Sequence, residues 1–136
     1  MQAAHAPTPS LLRVEEHGAI VHLQLDRPAK RNALSDALVL ELQRAFVELP
    51  ESARVVVLSG AGGHFSAGLD LAELGERSVA EGLMHSRMWH AAFEQIASGR
   101  VPVIAVLQGA VVGGGLELAS AAHIRIAERG TFFALP

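Results

Sequence analysis

The sequence contains no cysteine, which excludes a disulfide framework and any thiolate nucleophile or metal ligand. Charge is also sparse: 18% of residues are charged, the formal net charge is -3, and no basic run occurs. A nucleic-acid-binding face needs clustered lysine and arginine, so no nucleic-acid partner is expected. No apolar run reaches the length needed to span a bilayer, so no membrane partner is expected either. The first ten residues, MQAAHAPTPS, lack the basic and apolar regions of a secretory signal. They read as a disordered tail, and a cytoplasmic protein is the expectation. No repeat of fixed period is visible. His17 and His22 are five residues apart, as are His85 and His90. Helical metal-ligand spacing is missing, so no metal site is expected.

What is present is apolar. Half of the 136 residues are hydrophobic, enough for one globular domain over residues 11–136. Residues 11–16 and 19–25 alternate across His17-Gly18 and predict a hairpin. A polar, proline-broken loop follows over residues 26–32. Ser35 is placed to cap a helix running to about Leu49, with Leu38, Leu42, Ala45, Phe46 and Leu49 on one face. Residues 54–59 and 103–107 read as buried strands. Asp70 is placed to cap a short helix over residues 71–74. A longer helix is expected over residues 80–97, with Leu83, Met84, Met88, Ala92, Phe93 and Ile96 on its apolar side. A short helix over residues 116–121 precedes strands at 123–127 and 131–134. This succession is α/β.

Spacing dismisses several glycine motifs. After Gly109 and Gly114, Gly115 stands where a phosphate-binding loop needs lysine. Phe65 stands where a dinucleotide fingerprint after Gly60 and Gly62 needs its third glycine. Ser66 has no glycine two residues before it, so it is not on a nucleophile elbow. Two glycine-rich segments remain, Leu58 to Asp70 and Pro102 to Ala119, each continuing from a buried strand. Their glycines allow sharp turns and close approach, and free N–H groups gather where the following helices begin. Two such donors converging on one point would hold a developing oxyanion. Ordinary strand-to-helix turns have the same composition. Glu117 lies in the first turn after Gly113-Gly114-Gly115. A glutamate there complements the helix dipole, or serves as an acid–base group beside the glycine N–H groups. Asp70 reads first as a helix cap.

These segments resemble the two signatures of the enoyl-CoA hydratase/isomerase (crotonase) family. Phe65-Ser66-Ala67-Gly68-Leu69-Asp70 matches the family's Phe-x-Ala-Gly-x-Asp stretch. Pro102 through Leu118 matches its Pro-Val-Ile-Ala…Gly…Gly-Gly-Gly-x-Glu-Leu stretch. The loop from Arg27 to Leu34 and the ending Phe133-Ala134-Leu135-Pro136 also resemble the family, so the likeness covers nearly everything after residue 11. It implies a spiral of repeated ββα units, here apparently without the family's C-terminal helical part, and a bound acyl-CoA thioester. The backbone N–H groups of Leu69 and Gly114 would form an oxyanion hole, and Glu117 would be the first of two catalytic glutamates. Lys30, the only lysine, and Arg31 would lie near the CoA phosphates, with Ala67, Gly68, Leu69 and Asp70 near the bound substrate. A loop lysine is also commonly just solvated. No separate cofactor is implied, because coenzyme A belongs to the substrate. His123 stands where the family usually has aspartate, and a structural histidine is the simpler reading.

The resemblance implies enoyl-CoA hydration. Double-bond isomerisation through the same enolate is an alternative, although isomerases often lack a carboxylate at the position of Glu117. A non-catalytic acyl-CoA-binding fragment is a third. In the family a second glutamate directly follows the proline matched by Pro136, and trimer-forming helices come later. The expectation is therefore a longer natural polypeptide that resumes with a glutamate or functional substitute and assembles as a homotrimer or hexamer. Residues 1–136 expressed alone should be poorly soluble and inactive on crotonyl-CoA; a soluble, cooperatively unfolding, active product would refute this.

Overall fold

The computed structural model describes residues 9–73, 75 and 77–136. Residues 1–8 of the expected tail, and Leu74 of the expected short helix, lie outside the described residues. Ser10, at the end of that tail, is tied to the body: its hydroxyl donates to the Leu12 carbonyl at 2.7 Å and to the Glu41 carboxylate at 3.1 Å.

The hairpin forms as expected. Strands β1 (Leu12–His17) and β2 (Ile20–Leu25) pair antiparallel, with Leu12 opposite Leu25. Gly18 takes the turn at φ 62°. Helix α1 (Asp36–Val47) is capped by the Ser35 hydroxyl, which accepts the Leu38 N–H. Strand β3 (Val55–Gly60) follows, then helix α2 (Val79–Ala97), which opens on a reciprocal capping box between Ser78 and Glu81. Strand β4 (Val103–Leu107) leads to β5 (Ala110–Val112), helix α3 (Gly114–Ala121), β6 (Ile124–Ala127) and β7 (Phe132–Ala134). Among the described residues no helix is long and apolar enough to cross a membrane.

The five-stranded sheet runs β1-β2-β3-β4-β6, parallel from β2 onward, and β5 pairs with β7 in a second small sheet. Single bridges join Leu34 to Leu69 and Ser66 to Val111. The chain thus repeats one course: a strand in the large sheet, a short extended segment beside it, then a helix. This is the expected ββα spiral. The repeat is structural and leaves no fixed period in the sequence, because each course has its own loop lengths.

One face of the large sheet carries the core. Val21, Leu23, Leu25, Val56, Leu58, Val103, Ala105 and Leu107 pack beneath Leu38, Val39, Leu42 and Phe46 of α1, with Trp89, Ala92 and Ile96 of α2. Strands β3 and β4 are therefore buried on one face only, and Val55, Val57 and Ile104 are half-buried on the other. Continuous apolar character had predicted burial on both. The apolar side of α2 also differs from expectation. Leu83 and Met84 are 50% and 71% exposed, because only the C-terminal half of α2 lies over the core. Strand β5 was not expected, being three residues long inside a glycine-rich segment. His123 is structural: its Nδ1 accepts the Val103 N–H at 2.9 Å and its Nε2 lies 3.0 Å from the Ala97 carbonyl, joining the end of α2 to β4.

The loop before α1 is held by Asn32, which is fully buried at φ 56°. Its carbonyl oxygen accepts the Arg27 N–H at 2.8 Å, and its amide donates to the Ala61 and His64 carbonyls at 2.9 and 2.7 Å. Asn32→Leu removes all three bonds and places a branched side chain in a left-handed conformation. Unpaired buried polar groups cost about 1–3 kcal/mol each, so urea unfolding should show a loss of at least ~2 kcal/mol.

Candidate active site

The segment from Phe65 to Asp70 is pinned almost completely through its own N–H groups. Phe65 donates to Gln108, Ser66 to Ala110, Ala67 to Arg31 and Asp70 to Leu34, all at carbonyls. Gly68 donates to the hydroxyl of fully buried Ser66 at 3.2 Å, and that hydroxyl donates to the Asn32 carbonyl at 2.8 Å. Within this stretch only the Leu69 N–H has no acceptor among the described residues. The parallel bridge to Leu34 uses the residues on either side of Leu69 and leaves Leu69 facing away.

The second segment behaves alike. The Val112 N–H goes to the Ser66 carbonyl and the Gly113 N–H to the Ala134 carbonyl. Gly113, at φ 54°, is the N-cap of α3, so Gly114 opens the helix without an intrahelical acceptor for its N–H. The two segments touch. A Cβ on Gly114 would lie 3.8 Å from the Leu69 nitrogen, and one on Gly68 would lie 3.5 Å from the Gly114 nitrogen and 2.7 Å from the Val112 carbonyl oxygen. Leu69 and Gly114 also line one cavity of about 600 Å³. Two backbone donors without internal acceptors, one at the positive end of a helix, therefore lie on the wall of one cavity.

Of the other expected site residues, Lys30, Ala67, Gly68 and Asp70 line this cavity, and Pro136 does too. Arg31 does not. Its side chain is exposed, and its contribution is a carbonyl that accepts the Ala67 N–H. Asp70 is first a structural group: it accepts the Ala72 N–H at 3.0 Å, as a cap would, and the Arg27 guanidinium at 3.0 Å. The Ala72 N–H, and then Arg27, hold its carboxyl below the ordinary aspartate value. Glu117 corrects a further expectation. Its carboxylate is exposed and is absent from the cavity wall, although it lies in the first turn of α3 behind Gly114. The structural part played by Ser66 was not expected: its hydroxyl ties the Asn32 carbonyl to the Gly68 N–H, while its backbone pairs with the second segment. Trp89, the single tryptophan, also went unmarked, yet its ring would be 3.3 Å from a Cβ on Gly114.

A sequence model of the enoyl-CoA hydratase/isomerase family matches residues 15–136. The chain belongs to this family. It is 32% identical over 142 residues to the peroxisomal Delta(3,5)-Delta(2,4)-dienoyl-CoA isomerase of Arabidopsis thaliana, covering 94% of this chain and 51% of that protein. It superimposes on a protein assigned as an enoyl-CoA hydratase from Rhodopseudomonas palustris with a TM-score of 0.91 and 54% identity, covering 98% of this chain and 52% of that one. An assigned enoyl-CoA hydratase from Thermobifida fusca, in complex with acetoacetyl-CoA, matches with a TM-score of 0.82 and 28% identity over 92% of this chain and 52% of that one. The chain spans about half the length of these relatives.

The close approach of the loops rests on Gly68, at φ 100°. Gly68→Ala imposes a rare conformation on an L-residue, a cost of about 1–3 kcal/mol, and drives a methyl against the Val112 carbonyl. Denaturant unfolding should show this loss. Gly63→Ala, where a Cβ meets nothing within 4 Å, should be near neutral.

Proposed function

We propose that this chain supplies the thioester-binding part of an enoyl-CoA hydratase. The observation that carries the reading is the pair of unused N–H groups at Leu69 and Gly114 on one cavity. A thioester carbonyl accepting both would have its negative charge stabilised as water adds to the β-carbon of a 2-enoyl-CoA. Lys30, at the cavity rim, suits a phosphate of the CoA moiety, and Arg31 beside it adds positive charge. The complex of the Thermobifida fusca relative with acetoacetyl-CoA supports an acyl-CoA ligand.

Glu117 is the proposed proton acceptor for the attacking water. It lies in the first turn of α3, the helix that Gly114 opens, and the role requires its exposed side chain to turn toward a cavity wall that it does not line here. Isomerisation of a double bond runs through the same enolate, and the Arabidopsis thaliana relative is named for it; the carboxylate at position 117 favours hydration. Assembly into a homotrimer or hexamer belongs to the same proposal.

The test uses the full chain with crotonyl-CoA and with a 3-enoyl-CoA. Leu69→Pro deletes a donor that makes no internal bond and should lower turnover on the order of 100-fold or more. Glu117→Gln should keep acyl-CoA binding and lose hydration, because an amide does not exchange the proton. Wild-type hydration by the Gln variant would remove Glu117 from the mechanism, and conversion of the 3-enoyl-CoA alone would replace hydration by isomerisation.

A further inference from the structure

A backbone donor serves an oxyanion only while it is held in place, and a misplacement of about 1 Å costs on the order of 100-fold in rate. Leu69 is held through its neighbours. Leu34, fully buried, donates its N–H to the Gly68 carbonyl at 2.7 Å and accepts the Asp70 N–H at 2.9 Å. At Gly114 the support comes from side chains. A Cβ built on Gly114 would lie 3.3 Å from Cζ3 of Trp89 and 3.6 Å from Cδ1 of Leu34, with the Leu69 nitrogen next at 3.8 Å. Trp89 and Leu34 thus occupy the space a side chain at position 114 would need, and the first residue of α3 rests against them.

Trp89 has little freedom of its own. It is 8% exposed, and its indole N–H donates to Oδ1 of Asp36 at 2.8 Å, which pairs a donor that burial would otherwise leave unsatisfied. His85 and Phe93, one turn before and one turn after it on α2, have ring centroids 5.0 and 6.0 Å from its own, Phe93 edge-on. The bonded N–H and Cζ3 lie at opposite ends of the indole, so a rotation that moved Cζ3 would break the bond to Asp36. Trp89 is absent from the wall of the 600 Å³ cavity, so contact with a ligand there does not account for it. Asp36 is the first residue of α1, two positions after Leu34. Residues 34–36 therefore reach both donors: the Leu34 backbone brackets Leu69, and the Asp36 carboxylate fixes the indole that backs Gly114.

We infer that Trp89 is a positioning residue for the Gly114 N–H, locked in its orientation by Asp36. The inference rests on the oxyanion reading of Leu69 and Gly114. The indole acts as a rigid spacer between the head of α1 and the start of α3. A shorter ring without the N–H lets the start of α3 settle into the vacated space and turns the Gly114 N–H away from the cavity it shares with Leu69.

The test uses the full chain and acetoacetyl-CoA, which reads the donors without turnover. This ligand loses its C2 proton to solvent and becomes an enolate with stronger near-ultraviolet absorbance, and donors on the enolate oxygen favour that form. The quantity measured is the ratio of enolate to neutral ligand in the saturated complex at fixed pH. In wild type it should exceed that of free acetoacetyl-CoA by on the order of 100-fold; a ratio equal to the free ligand's would refute the oxyanion reading itself. Trp89→Phe should lower the wild-type ratio about tenfold, with CoA alone bound within about twofold of wild type. Turnover of crotonyl-CoA should fall with the ratio at nearly constant KM. An unchanged ratio beside a raised wild-type value would overturn the positioning role and leave the oxyanion reading standing. Saturation removes affinity and folded fraction from the measurement, so a Trp89 that only stabilised the fold would not move it. Ile96→Val, a core truncation two turns further along α2, supplies the comparison: it should lower stability and leave the ratio at the wild-type value. A fall matching that of Trp89→Phe would also overturn the proposal. Should Trp89→Phe fold poorly, Asp36→Ala removes the same hydrogen bond from the other partner and should lower the ratio too; no change there would overturn the proposal.

Discussion

Backbone lies directly against backbone where α3 begins, and the site depends on that contact. A Cβ on Gly115 would overlap the Ser66 carbonyl, and one on Gly68 would press on the Val112 carbonyl. Glycine at both positions lets the 65–70 segment and the start of α3 close without a side chain between them. Once they close, the hydrogen-bond inventory decides what remains available. Each N–H from Phe65 to Asp70 finds a fixed acceptor except that of Leu69, and a helix start leaves the Gly114 N–H unused. The two donors are preorganised because everything around them is already bonded.

That closure is supported from beneath by two buried polar side chains. Asn32 joins the loop before α1 to the turn after β3, and the Ser66 hydroxyl joins Asn32 to Gly68. The sheet core under α1 supplies the cohesive energy, while these few bonds set the register of the loops above it. A fully satisfied polar network in a buried place specifies one arrangement of its segments. Such rigidity would serve the proposed oxyanion site, since donors of that kind are effective only where the charge develops.

Much of this was legible locally. Ser35 starts α1 through a short-range cap, and Gly18 marks the hairpin turn, because such signals act within a few residues. The glycine segments with Glu117, matched against the family pattern, pointed to Leu69 and Gly114. The one-sided burial of β3 and β4 was not legible, because an apolar run does not say how many layers cover it. Strand β5 was missed because its pairing comes from β7, some twenty residues away in the chain.

The sequence by itself determined the family and most of the order of the elements, since caps, turns and helix starts are local properties, and the family resemblance pointed to Leu69 and Gly114. Only the tertiary structure decided what faces what. It exposed Glu117 and left Arg31 outside the cavity wall, and it made His123 a staple between α2 and β4. It also brought His85 and Trp89 of α2 to Asp36 at the head of α1, a pairing set by how two helices cross the same sheet face. Such a meeting depends on packing between residues roughly fifty positions apart, and no local pattern encodes it.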